Sequence, residues 1–302
     1  MKKTTIWALI IGIIIILIGV YFLTQGSANN LSDGSGQATT TSATSSNQTT
    51  AKPVDKEKTI IGQSVGGKDI VAYHYGTGKT ELLFVGGIHG GYEWNTALVA
   101  YQLMDYLAAN PSLILGDLKV TVIPALNSDG LNKVVGTTGR FTASDVSAGK
   151  TLVVASRLND NKVDLNRNFD CGWQPSAVWQ KTKVSGGSQA FSEPESQALK
   201  SYIETNNPKA VVVWYSAAGG VFASQCDNGI LPETKTLAKT FADASGYKSY
   251  ESFDFYETTG DAVNWLAKKG IPAISVILTT HDDTEWDKNQ AGALALIKSY
   301  SK

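Results

Sequence analysis

The stretch Gly86-Gly-Ile-His-Gly-Gly-Tyr-Glu-Trp-Asn95 restricts the fold more than any other part of the chain. Apolar Leu82-Leu-Phe-Val85 leads into it, and the helical pattern Thr96–Tyr106 follows. A strand must therefore end in a glycine turn before a helix starts. Glycine lets the backbone turn sharply and approach a ligand closely. His89 lies in the turn and Glu93 at the first helical turn. A neutral imidazole and a carboxylate converging from a strand end and a helix start make half of a zinc site. The plainer alternative is a strand-to-helix connection that happens to contain a histidine.

The rest of the chain from residue 57 onward repeats this alternation. Thr59–Tyr75 reads as two short strands joined at Gly66-Gly67, with His74 a structural residue on the second. Asp117–Leu126 is another strand, closed by a turn at Asn127-Ser-Asp-Gly130, and residues 131–160 are loop-rich. Ser192 caps a helix that runs to about Asn206, with Pro194 in its first turn and Glu195 completing a capping box. Ala210–Tyr215 and Ile271–Leu278 are continuous apolar runs suited to strands covered on both faces. Leu231–Ala244, Gly260–Gly270 and Asn289–Tyr300 read as helices. The expectation is an α/β domain over residues 57–302, with a mixed, mainly parallel sheet covered by helices on both faces.

Two segments precede that domain. Lys2 and Lys3 lead into Ile6–Leu23, eighteen uncharged residues. At about 1.5 Å per residue this run reaches about 27 Å, near the hydrocarbon thickness of a bilayer. Residues 1–25 are therefore read as a single-pass membrane anchor. The alternative is a cleavable signal peptide ending at Gly26-Ser-Ala28, which makes the protein secreted. The flanking lysines place the domain on the extracytoplasmic side in either case. Residues 26–56 form a flexible linker: residues 26–51 carry twelve Ser or Thr and one charge, Asp33. The net charge of −1 and the lack of a basic stripe give nucleic-acid binding no electrostatic support. The two cysteines, Cys171 and Cys226, are candidates for one disulfide in an oxidising compartment.

Folds of this kind place their chemistry at the carboxyl ends of strands. The polar residues expected there are His89, Glu93, Arg157, Asn166, Arg167 and Tyr256. Two arginines and an asparagine beside a metal suit an anionic substrate, since arginine binds a carboxylate bidentately. Ordinary loop salt bridges are the competing explanation for the arginines.

The domain resembles the zinc metallocarboxypeptidases, the carboxypeptidase A-like peptidases, over roughly residues 59–300. The resemblance rests on Gly62-x-Ser64-x-x-Gly67-Lys68-x-Ile70, the His89/Glu93 turn, Asn127-Ser-Asp-Gly130 and Arg157-x-Asn159. It rests also on Val163-Asp-Leu-Asn-Arg-Asn-Phe169, Ser192-Glu-Pro-Glu195 and Tyr256-x-x-x-Gly260. It implies that His89 and Glu93 are zinc ligands and that Arg157 stabilises the oxyanion. Asn166 and Arg167 would fix the terminal carboxylate of a peptide or peptidoglycan peptide, and Tyr256 would close over the bound residue.

Three departures qualify that implication. Three residues rather than the family's two separate His89 from Glu93, an insertion that the diglycine can absorb. The third zinc ligand should be a histidine where Tyr215 stands, and a tyrosine ligates only after losing a proton with an ordinary pKa near ~10. The general base should be a glutamate where Ile277 stands. Among the histidines, His74 and His281 occupy neither place; His281 could be imagined as a replacement base or ligand, but it lies four residues past the expected site and begins an acidic run to Glu285 that reads as a solvated loop. The expected protein is thus a carboxypeptidase-like domain that binds or acts on peptide C-termini with weak or lost peptidase activity. The alternatives are an active zinc peptidase with an atypical metal site and, more remotely, a serine hydrolase built from Ser216, His281 and Asp282. Trp214-Tyr-Ser-Ala-Ala218 lacks the glycines of a nucleophile elbow.

Overall fold

The structure, a computed structural model, describes residues 57–301. The anchor or signal peptide and the linker expected over residues 1–56 lie outside the described residues. Among the described residues no helix is long and apolar enough to cross a membrane.

β1 (Lys58–Gln63) and β2 (Asp69–Tyr75) pair as an antiparallel hairpin. β3 (Thr80–Val85), α1 (Trp94–Ala109) and β4 (Leu118–Ile123) follow, then α2 (Ser128–Val135) and the short α3 (Lys150–Ala155). β5 (Ser176–Trp179) and β6 (Thr182–Ser185) form a separate small hairpin. The chain continues through α4 (Pro194–Asn206), β7 (Ala210–Ser216), β8 (Gly220–Ala223), α5 (Pro232–Ser245) and β9 (Ser249–Tyr250). It ends with α6 (Ala262–Lys268), β10 (Ala273–Leu278) and α7 (Trp286–Tyr300).

The main sheet has the order β1-β2-β4-β3-β7-β10-β8-β9. Its centre, β4-β3-β7-β10, is parallel throughout, and antiparallel pairings flank it. Strand side chains alternate between faces, and the two halves of the core follow that period. Leu82 and Phe84 of β3, with Val212 and Trp214 of β7, pack against α1, α5 and α7. Leu83 and Val85, with Val211, Val213 and Tyr215, pack against α4 and α6. A strand buried on both faces has no polar positions to alternate, which is why all seven residues of β7 are buried.

Three local expectations are corrected. Asn127-Ser-Asp-Gly130 is the start of α2, with the Asn127 side chain accepting from the Gly130 N–H, because the same small polar residues that make turns also cap helices. Residues 131–160, expected as loop, hold the rest of α2 and all of α3. Ser192 and Glu195 form no capping box: α4 starts at Pro194, and Glu193 makes no side-chain cap. Proline at the first turn has no N–H to satisfy, and Glu195 instead accepts from the Val65 N–H and from Asn159.

Several residues that carry the family resemblance are thereby explained as scaffold. Asp129 accepts from Ser64 Oγ and from the Gly66 N–H, both at 2.8 Å, and so ties the β1–β2 turn to α2. A Cβ on Gly66 would lie 2.4 Å from Asp129 Oδ1, so only glycine lets the carboxylate approach. Hydrogen bonds to a charged acceptor contribute more than neutral ones, so Asp129→Ala is expected to cost about 2–3 kcal/mol. A lowered urea midpoint at unchanged slope is the readout, with Asp129→Asn recovering part of the loss. An unchanged midpoint would show that this carboxylate does not hold the turn.

Candidate active site

The carboxyl ends of β3, β7 and β10 lie side by side and open onto a cleft of about 950 Å³. His89, Glu93, Arg157, Arg167, Tyr256 and His281 all line it. β3 ends at Val85, and a 3-10 turn at Gly90–Glu93 carries the chain into α1. Gly90 has φ +50°, and a Cβ on Gly91 would lie 2.2 Å from Val134 Cγ2 of α2. The diglycine therefore accommodates the longer His–Glu spacing by lying directly on α2.

His89 Nδ1 and Glu93 Oε1 are 2.9 Å apart, and both side chains are almost wholly buried. The contact lacks hydrogen-bond alignment: both ring nitrogens of His89, and Oε2 of Glu93, are buried without a hydrogen-bond partner. His89 Nε2 lies 3.4 Å from Asp164 Oδ1, too far for a good bond but close enough to orient the ring. Asp164 also accepts from Arg157 Nε at 2.9 Å and from the Asn166 N–H at 3.0 Å. Burial by itself raises the Asp164 pKa, but Arg157, His89 and Arg167 outweigh it and hold the carboxyl well below the usual range. Arg157 is further fixed by aromatic rings, its Cζ lying 4.5 Å from the Trp179 ring centre and 5.8 Å from that of Tyr92. Its Nη1 is 3.7 Å from Glu93 Oε1.

Asn166 is largely committed to its neighbours. Its Oδ1 accepts from the Tyr215 hydroxyl at 3.1 Å and from the Ala262 N–H at 3.0 Å, while Nδ2 donates to Asp261 Oδ2 at 2.7 Å. Arg167 spends one Nη1 hydrogen on the Asn166 carbonyl, and Nε with one Nη2 hydrogen on the Val178 carbonyl. A guanidinium has five N–H donors, so one hydrogen on each terminal nitrogen remains for a ligand. Tyr256 lies over this group, its ring centre 5.9 Å from Arg167 Cζ. Cys171 and Cys226 form a disulfide in the cleft wall, with 6.2 Å between their Cα atoms.

The metal test divides this site. His89 Nδ1 and Glu93 Oε1 approach without hydrogen bonding, as two donors of one ion do: tetrahedral bonds of ~2.0–2.1 Å put donors about 3.3 Å apart. The third corner does not fit. The Tyr215 hydroxyl donates its proton to Asn166, and burial, then Asp261, Glu93 and Asp164, push its pKa well above the ordinary tyrosine value. Among the described residues no three His, Cys, Asp or Glu side chains converge as a metal set. Tyr215 and Ile277 are direct partners in the parallel β7–β10 register, both buried on the α4/α6 face. β10 itself, Ala273–Leu278, contains no carboxylate residue.

The His281–Glu285 run is not the solvated loop that its composition suggests. Asp282 and Asp283 are exposed, but His281 turns into the cleft against the Tyr92 ring, with centres 4.5 Å apart. Glu285 accepts from the Thr279 N–H and the Tyr247 hydroxyl. Ser216 Oγ and His281 Nδ1 are 2.9 Å apart, yet the serine donates its hydroxyl hydrogen to Asn95 Oδ1. A serine nucleophile needs the opposite polarity, with its proton aimed at the histidine, so the Ser216–His281–Asp282 reading is not supported. Asp164, Asp261, Tyr92, Trp179 and Asn95 were not singled out from the sequence, and Ser216 and His281 were named there only with Asp282 or as an imagined replacement for the missing base or ligand. Asp164 lies inside the quoted Asp-x-Asn-Arg motif, whereas Trp179 carries no local signal.

This fold and cleft define a carboxypeptidase-like peptidase scaffold, and comparison with known proteins agrees. The zinc carboxypeptidase family model matches residues 46–289, and the chain belongs to that family. The chain is 26% identical over 221 residues to a gamma-D-glutamyl-L-diamino acid endopeptidase of Lysinibacillus sphaericus, a match spanning 66% of this chain and 54% of that enzyme. Among solved structures, the murein-tripeptide amidase of Escherichia coli O157 superposes with a TM-score of 0.58 at 21% identity, covering 81% of this chain and 92% of that one. Bovine thrombin-activatable fibrinolysis inhibitor superposes with a TM-score of 0.62 at 18% identity, covering 81% and 88%. These structural likenesses define the fold.

The Asp164 pairing has a pH signature. A carboxylate whose folded pKa is depressed contributes stability that is complete above its unfolded value near 3.8 and is lost as pH falls toward the folded one. Asp164→Asn is expected to cost about 3–5 kcal/mol at pH 7, because Arg157 is left buried without its partner. It should also flatten the acid limb of the stability curve below pH ~4. Urea melts from pH 3 to 7 measure both, and parallel curves for variant and wild type would contradict the assignment.

Proposed function

We propose that this chain is a membrane-anchored, extracytoplasmic member of its family that recognises peptide C-termini, murein peptides in the first place, and hydrolyses them slowly or not at all. One observation carries the reading. Tyr215 and Ile277 stand side by side where ligand and base are expected, while Arg157 and Arg167 still line the cleft. Loss of a general base alone costs ~10²–10⁴-fold in rate. Loss of a metal ligand removes activation of the same water. Carboxylate recognition survives both, because it depends on the remaining Arg167 hydrogens and the Tyr256 cover. The murein-tripeptide amidase neighbour supplies the murein substrate class. His89 and Glu93 are the residues that would hold zinc, Arg157 the one that stabilises an oxyanion, and Tyr256 the one that closes over the bound residue.

Calorimetry with murein tripeptide tests the binding arm. Arg167→Ala removes a charge-assisted contact of ~1.5–3 kcal/mol and should weaken binding about 10–100-fold. After dialysis against zinc the wild type should retain well under one ion per chain, and Tyr215→His with Ile277→Glu should raise both zinc content and turnover about 10²–10⁴-fold. Stoichiometric zinc with rapid turnover in the wild type would overturn the reading in favour of an active peptidase with an atypical site.

A further inference from the structure

The loop after β10 puts the His281 imidazole into the cleft, and its hydrogen bonds fix which ring nitrogen carries the proton. Asn95, in the first turn of α1, spends both amide hydrogens on that loop, donating to the Thr280 carbonyl at 2.8 Å and to the Asp283 carbonyl at 2.9 Å. Its Oδ1 is therefore an acceptor, and it takes the Ser216 hydroxyl hydrogen at 3.1 Å. A serine has one hydrogen to give. Its oxygen, 2.9 Å from His281 Nδ1, must then accept the Nδ1 hydrogen. The neutral ring so held keeps a lone pair on Nε2. The ring is clamped between Ser216 and Tyr92, and it shares the cleft with His89, Glu93 and Arg157. Burial lowers the His281 pKa, with Glu93 and Asp282 opposing and His89 and Arg157 assisting. The neutral form prevails at neutral pH.

We propose that His281 is the proton acceptor of this cleft, supplying through Nε2 the function that Ile277 cannot, and that Asn95 and Ser216 are its positioning residues. The proposal rests on the peptide-binding reading above and accounts for slow hydrolysis within it. Nε2 takes a proton from a water whose oxygen bonds to the carbonyl carbon of the last peptide link. Arg157 stabilises the charge that develops on the carbonyl oxygen. The same proton passes from Nε2–H to the departing nitrogen as the C–N bond breaks, leaving an acid and a free amine. The wiring also explains why Ser216, though beside a histidine, is a poor nucleophile. Its proton points away, to Asn95.

Murein tripeptide hydrolysis by the full domain gives the test. His281→Gly should lower kcat at least about 10²-fold, leave the calorimetric Kd within a few-fold of wild type, and regain turnover on addition of imidazole. Ser216→Ala should lower kcat by a smaller factor, because the ring loses its tautomer partner but not its nitrogen. Nitrogen NMR of the imidazole side chains should show His281 protonated at Nδ1 and bare at Nε2. Turnover unchanged in His281→Gly, turnover lost without imidazole rescue, or a proton found on Nε2 would overturn the assignment. So would a wild type that binds the tripeptide and releases no product, an outcome that leaves the binding reading intact. Failure of the wild type to bind the tripeptide would overturn both.

Discussion

The cleft depends on one buried carboxylate. Asp164 touches the His89 ring, pairs with Arg157 Nε and accepts the backbone N–H of Asn166. It thus sets the position of three elements of the cleft at once: the turn after β3, the Arg157 guanidinium, and the segment that carries Asn166 and Arg167. Removing a carboxylate from water costs several kcal/mol, offset only when every lone pair has a good partner. Here the Arg157 guanidinium and the Asn166 N–H bond it directly, with the His89 ring close by. The neighbouring carboxylate, Asp261, lacks an equally close cation, and burial raises its pKa. The two buried acids are therefore shifted in opposite directions.

Glu93 shows how the centre is balanced in the chain's own terms. In a three-ligand metal site its charge would be answered by the ion. Here Arg157 stands 3.7 Å away and supplies a positive charge. That places a guanidinium directly against the Glu93 carboxylate.

Much of this was legible before any coordinates. Continuous apolar runs at 210–215 and 271–278 mark strands with both faces covered, and the glycine turn at 86–91 locates the edge where chemistry collects. The substitutions at 215 and 277 stand out because family spacing makes them conspicuous. What escaped was long-range and polar. Asn95 looks like an ordinary helix residue until its amide is seen to grip a loop nearly two hundred residues later. His281 looks solvated because acids follow it, and only packing against Tyr92 and Ser216 turns it inward. Trp179 comes from a small hairpin whose strands, Ser176–Trp179 and Thr182–Ser185, are too short to announce themselves. Periodicity reports burial along one element; it carries no information about which polar group on another element will be met.

The parallel pairing of Tyr215 with Ile277 also means that the two positions do not vary independently. Two side chains on one face of adjacent strands share a packing environment, and substitutions there do not add. A glutamate placed alone beside Tyr215 would be a buried charge with no cation to answer it. A histidine placed alone beside Ile277 would face an apolar side chain, with no hydrogen-bond partner in its own strand pair. The sheet register thus makes the two positions one unit: what either substitution does depends on the residue that stands at the other.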